Sequence, residues 1–293
     1  MIRSKEEKIF QITSHTVLCI MLVITMVPFL LLFMSSVTDE ASLVENGYSF
    51  FPKKFSLAAY GYIINSGKEI LHAYAITIVV TLIGTAAHLM MASMLAYPLS
   101  LDIPGKKFFN FYIVFTMLFN GGLVPQYLMW TGTFHLKNTI WGLIIPSFML
   151  GAMNTIIIRS FFKNNIPAAL YEAARIDGAG EVSIFVKIVL PLGKPILVSM
   201  GVFAGLRYWN DWTNGLYYIT KKDLYSIQNL LNQMITDIQF LSSNNVSSGQ
   251  IAQIPATTVR MAIAFTAMIP VLILFPFLQK YFQKGMTVGA VKG

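Results

Sequence analysis

Residues 172 to 192, "EAARIDGAGEVSIFVKIVLPL", carry Glu172, Arg175, Asp177, Glu181 and Lys187 within sixteen positions of a chain that is 55% hydrophobic and only 12% charged. Carboxylates and a guanidinium this close can pair with one another, satisfy helix ends, or meet a charged partner. General acid–base or nucleophilic chemistry would need them to converge with a nucleophile or a metal, and no such set is visible. His15, His72, His88 and His135 are dispersed, so no spacing suggests a metal site. No G-x4-G-K-[S/T] loop occurs, so the backbone cradle and lysine that hold ATP phosphates are missing. Five ionised groups in mid-bilayer would cost on the order of 12 to 18 kcal/mol even on the permissive insertion scale. The segment therefore stands outside any apolar phase, and its chemistry is that of contact.

A second polar cluster, "RYWNDWTN" at 207 to 214, interrupts apolar sequence differently. Trp209, Asn210, Asp211 and Trp212 combine aromatic faces with amide and carboxylate groups, the pairing that suits a sugar, whose CH faces stack while its hydroxyls need polar partners. Either the apolar run ends near Leu206 and the tryptophans form an interfacial belt, or these groups face an aqueous cavity as intramembrane polar residues do. Arg207 and Asp211 stand at i, i+4 and could pair. Asn154 and Asn120 are further path candidates, with helix–helix hydrogen bonds as the alternative.

These groups are carried by apolar stretches of bilayer length. The composition is that of an all-α membrane protein with six transmembrane helices, at about 15–37, 71–99, 108–130, 139–161, 188–219 and 258–282. The basic start "MIRSKEEK" followed by a long apolar run has the charge order of a signal peptide, but the run is too long for a signal core and reads as a retained helix. Of 21 Lys and Arg residues, thirteen fall on one side, including Arg3, Lys5 and Lys8, Lys106 and Lys107, Arg159 and Lys163, and Lys280 and Lys284. The positive-inside rule then places both termini and residues 162 to 187 in the cytoplasm. The net charge of +8 follows from this topology; basic residues are scattered and no nucleic-acid patch forms. The single cysteine, Cys19, cannot close an intrachain disulfide and reads as a packing residue.

Between the fourth and fifth spans, "NNIPAALYEAARID" offers Asn164 or Asn165 as a cap and Pro167 in the first turn, predicting a short helix over about 167–177. Gly178 and Gly180 stop it, and a second helix starts at about Glu181. Ala169, Ala173 and Ile176 share one face of the first helix. On the outer side, "FLSSNNVSSGQIAQIP" at 240 to 255 is polar and aperiodic, an exposed loop.

Glu172, Ala173, Ala174, Gly178, Ile188, Leu190 and Pro191 reproduce the E-A-A-x3-G-x9-I-x-L-P spacing of the EAA signature, and on these residues the chain resembles permease subunits of ATP-binding-cassette importers. The end "QKYFQKGMTVGAVKG", 279 to 293, is similar to that of carbohydrate-uptake permeases of the maltose-transporter G type. "GGLVPQY" at 121 to 127 and "WNDWTNGLYYI" at 209 to 219 resemble the branch that handles oligosaccharides, including pectin-derived and alginate-derived ones.

The resemblance implies the type I ABC importer permease fold as a single permease domain over 1–293, in a bacterial cell membrane. It implies import of a carbohydrate, an oligosaccharide, by alternating access. Its partners would be a second permease subunit, two ATPase subunits that hold ATP and Mg, and an extracytoplasmic solute-binding protein; the chain itself would be no enzyme and bind no cofactor. Helix 167–177 would dock in an ATPase cleft, Glu172 making the polar contact, Ala173 and Ala174 the close packing and Gly178 the turn, with Arg175 and Asp177 beside them. The tail from Gly285 to Gly293 would reach the same interface, and the outer loop, with Asn244, Asn245, Ser247 and Gly249, would probe the binding protein. An importer permease for an amino acid or polyamine is the alternative within the class. An ion-coupled secondary transporter would need mid-span carboxylates, which are absent apart from Asp211.

Overall fold

The computed structural model describes residues 5–65, 67–146, 149–243 and 256–290. Among them the regular elements are helices, joined by turns and irregular stretches, and the β-type pairing is one isolated bridge, Thr38 to Phe55. It divides into two compact units, one of residues 1–70 with 231–272 and the other of residues 71–230 with 273–293.

The first unit begins with α1, Lys5–Ser36. Its large side chains from Ile9 to Phe33 are mostly exposed around the whole circumference. An unbroken apolar helix with its own backbone hydrogen bonds satisfied is the form a bilayer accepts. At its end Ser36 Oγ meets the Tyr60 hydroxyl of α3 (Ala58–Asn65) at 2.8 Å. Asp39 caps α2 (Glu40–Asn46), its side chain accepting from Ser42 N, and pairs with Lys54 at 3.3 Å. Glu40 reaches across to the start of the last helix, α15 (Ala256–Ala290), and its carboxylate accepts from Thr257 N, Thr258 N and Thr258 Oγ1 at 2.9, 2.8 and 2.6 Å. A carboxylate from another element thus serves the unsatisfied N–H groups and the positive end of α15.

The second unit is threaded by α4 (Gly67–Ser100). α7 (Trp141–Ile144) and α8 (Ala152–Asn165) pack against it, α5 (Lys106–Leu118) packs on α8, and α6 (Leu123–Leu128, continued as a π-turn to Thr133) lies between α5 and α7 in the chain. α9 (Ala168–Ile176) and α10 (Glu181–Ile184) follow, and α10 runs through a π-turn, Phe185–Val189, into the short α11, Leu190–Leu192. α12 (Lys194–Trp209), α13 (Thr213–Tyr218) and the first turn of α14 (Ile227–Ser243) complete it.

Among the described residues two helices, α1 and α4, are long and apolar enough to cross a membrane, or up to four if each bent pair is one span. The six-span expectation therefore stands in part. Segment 108–130 is two helices bent by 110°, because Asn120 Oδ1 accepts from Gly122 N at 2.9 Å and Gly122 takes φ +88°, a turn open to glycine. Segment 139–161 is interrupted between α7 and α8. Segment 188–219 bends by 79° at Gly193, where a Cβ would lie 2.5 Å from the Phe162 ring, and α12 stops at Trp209. Periodicity and length do not reveal such breaks, since the apolar composition continues through them. Of the polar loop expected over 240 to 255, residues 240 to 243 belong to α14 and the rest lie outside the described residues.

Replacing Glu40 with Gln removes the charge at the α15 terminus while keeping the shape. It is expected to cost about 1 to 2 kcal/mol, read as a lower midpoint of thermal unfolding in detergent; an unchanged midpoint would contradict this role.

Candidate functional site

α8 ends on Asn165, so neither Asn164 nor Asn165 caps the next helix; the N-cap of α9 is Pro167 itself, in an extended conformation. Proline locks φ close to the value a helix entry uses and brings no N–H to satisfy. The exit is built on Gly178, at φ +79°. Its N–H donates to Arg175 O at 3.0 Å and that of Ala179 to Ala174 O at 2.9 Å. This pair of bonds is a Schellman turn, which needs a left-handed residue at its corner. The expected role of Gly178 as the turn has a geometric basis.

The two faces of α9 differ sharply. Tyr171 and Ala174 are buried in a cluster with Ala96 and Tyr97 of α4, Ile158 and Phe162 of α8, and Ile184, Phe185 and Val189. Ala169, Glu172, Ala173, Ile176 and Asp177 are exposed, Ile176 to 85%. Ala174 is thereby part of this chain's own core, and of the two signature alanines only Ala173 is available to another molecule. Glu172 makes no hydrogen bond or ion pair among the described residues. An exposed β-branched aliphatic beside an exposed alanine and an unengaged carboxylate forms a small amphipathic docking face.

Arg175 is exposed as well but, unlike Glu172, it is paired within the chain. Its Nε donates to Glu181 Oε1 at 2.9 Å, and the other oxygen of Glu181 accepts from the Tyr97 hydroxyl at 2.6 Å. The ring of Tyr97 lies 6.0 Å from that of Tyr171 and 5.7 Å from that of Phe185. Sequence reasoning missed Tyr97; an aromatic with a polar tip near the end of an apolar helix was its only signal. The Arg175 guanidinium, and secondarily the Tyr97 hydroxyl, hold the Glu181 carboxyl below its ordinary value.

The path candidates scatter. Trp209 and Asp211 are buried, and Asp211 Oδ1 accepts from Thr213 N and Asn214 N at 3.0 and 3.2 Å, capping α13. Asn214 donates to Pro146 O at 2.8 Å, and Asn229 donates to Trp212 O at 2.9 Å, so this polar knot holds α13 to its neighbours. Asn154 donates to His88 Nε2 at 2.7 Å, joining α8 to α4, while Asn120 forms the turn described above. Asn210 and Trp212 remain exposed, with Gln228 Nε2 3.5 Å from Asn210 Oδ1. Asn244, Asn245, Ser247 and Gly249 lie outside the described residues, and α15 continues as helix to Ala290. No group of three or more His, Cys, Asp or Glu side chains that could hold a metal occurs among the described residues.

A family model described as "Binding-protein-dependent transport system inner membrane component" matches residues 7–288. Protein LplC of Bacillus subtilis is 36% identical over 271 residues, 92% of this chain and 90% of that one. The polygalacturonan/rhamnogalacturonan transport system permease protein YtcP of the same organism is 35% identical over 289 residues, 98% of this chain and all of its own length. Among solved structures, a chain of a bacterial ABC transporter involved in import of the acidic polysaccharide alginate aligns with a TM-score of 0.81 and 31% identity, covering 96% of this chain and 99% of that one.

A carboxylate whose pKa is depressed by folding adds stability above its unfolded value and loses it as the pH falls through the folded one. The stability difference between wild type and Glu181→Gln is therefore expected to stay level from about pH 8 to about pH 5 and to shrink at lower pH. Thermal unfolding over a pH series checks this, and a difference that grows toward acid would contradict it.

Proposed function

We propose that this chain, which belongs to the family of inner membrane components of binding-protein-dependent transport systems, is one of two permease subunits of an ATP-driven importer of oligosaccharides that carry uronic acid units. The chain is the permease part and not the ATPase, which in this family is a separate subunit. The observation that carries the proposal is the outer face of α9. It offers Ala169, Ala173 and Ile176 for close packing and Glu172 as a carboxylate with no partner of its own, on a helix too charged to lie within a bilayer.

In this reading α9 seats in a cleft of the ATPase subunit on the cytoplasmic side, with Glu172 meeting a basic group there. Closure of the ATPase dimer around ATP and Mg moves α9, and the permease pair alternates between outward and inward openings. A second, similar permease completes the path, and an extracytoplasmic binding protein delivers the sugar, with the loop that holds Asn244, Asn245, Ser247 and Gly249 facing it. Both termini lie in the cytoplasm. Asn210 and Trp212, both in the chain's polar cluster at 207 to 214 and exposed, are the residues of this chain best placed to meet solute, since the other exposed candidate, Asn120, is engaged in its own turn. The acidic character of the cargo rests on the relatives, since polygalacturonan and rhamnogalacturonan, associated with YtcP, and alginate, imported by the structural neighbour, all contain uronic acid units.

The test is ATP hydrolysis by the complex co-purified with this chain, in lipid, with binding protein and a panel of oligosaccharides. Galacturonate or alginate oligomers are expected to stimulate hydrolysis. Glu172→Lys is expected to weaken ATPase docking by about 2 kcal/mol or more, roughly thirtyfold, as charge reversal at a desolvated contact does, and to abolish the stimulation. Stimulation by neutral sugars alone would remove the acidic cargo. Solute movement by the chain without any ATPase would remove the importer reading.

A further inference from the structure

α9 is joined to the rest of its unit by two short connections, Ile166 and Pro167 before it and Asp177 to Gly180 after it. The second contains two glycines, one at positive φ. The glycine-bearing link bends readily, so a push on the outer face of α9 would be partly absorbed at its exit unless a side chain fastened that end of the helix to a stiffer element. The residue that does so is Tyr97, three positions before the end of the 34-residue α4. Only 6% exposed, it touches both limbs of the loop: Tyr171 of α9 and Phe185 beyond α10 by its ring, and Glu181 at the head of α10 by its hydroxyl. Glu181 in turn holds Arg175 on the last turn of α9. A single side chain of the long helix thus reaches the exit of α9 by a relay of two charge-assisted hydrogen bonds and its middle by ring packing.

We infer that Tyr97 is a positioning residue for coupling: through Glu181 and Arg175 it makes α9 and the C-terminal end of α4 move as one body, so that work done on the outer face of α9 reaches the membrane-spanning part of the chain. The inference about coupling rests on the function proposed above; the fastening itself does not. Arg175 is then a strut engaged within the chain although its side chain is partly exposed, and Glu172 and Asp177 are the carboxylates left to face the partner. Tyr171 provides an internal control, because its hydroxyl is buried in the same cluster with no hydrogen-bond partner. Tyr171→Phe deletes the same atom from the same core without cutting the relay.

The experiment has two arms, both on Tyr97→Phe, Glu181→Gln and Tyr171→Phe. In the first, a spin label at Ala173→Cys in a Cys19→Ser background reports the mobility of α9 in the purified full-length chain in lipid, with no ATPase required. Tyr97→Phe and Glu181→Gln are expected to raise the mobility, the double variant no further than either single one, and Tyr171→Phe to leave it unchanged. In the second, the complete complex in liposomes is assayed for ATP hydrolysed per sugar imported. That ratio is expected to rise about two- to fivefold in Tyr97→Phe and Glu181→Gln, the scale of one charge-assisted hydrogen bond discounted for partial exposure, with the ATPase still bound. Unchanged mobility, equal effects of Tyr171→Phe, or a ratio that stays at the wild-type value overturns the inference. If wild type itself imports no sugar, the proposed function falls and the fastening is judged by the first arm alone.

Discussion

The free energy of placing charge in hydrocarbon governs the rest of this molecule. Residues 172 to 187 cannot enter a bilayer, yet they lie between apolar segments that can. A short charged helix in that position can be held only by the face it turns toward its own chain. In α9 that face is Tyr171 and Ala174, small in area and continuous with the core of α4, α8 and α12. Everything outward of it is free to meet another protein, and everything inward of it is free to pass on what that protein does.

The same cost explains how the polar groups of the second unit are spent. Asp211, Asn214, Asn229, Asn154 and His88 are engaged with backbone groups or with each other. Unpaired amides and carboxylates are expensive in an apolar surrounding, and paired ones join helices that the hydrophobic effect cannot sort from lipid. The chain bends at Gly122, which takes a positive φ, and at Gly193, where any side chain would meet the Phe162 ring.

What the sequence revealed follows from this division. The α9 element, its glycine exit and the start of α10 were legible to within a residue or two, because proline, glycine and the surrounding charge are local signals. Its entry lies at Pro167 and not at the asparagine expected there, since a continuing helix can use asparagine as well as a cap can. The bends inside apolar segments were hidden, as hydrophobicity has the same sign on both sides of a kink. Among the solute candidates, residue type pointed equally to Trp209, Asn210, Asp211 and Trp212, whereas tertiary packing buries Trp209 and Asp211 and leaves Asn210 and Trp212 outside. Tyr97 was invisible for the same reason: its partners are 74 to 88 residues away along the chain, and no local pattern records them.

The most direct test of the docking face is cysteine cross-linking to the ATPase subunit from single positions around α9, in the intact complex with Cys19 replaced by Ser. The account predicts cross-links from Ala169, Ala173 and Ile176 and none from Ala174, with the outward set blocked by Glu172→Lys. Cross-links from Ala174, or none from any of the outward positions, would contradict it.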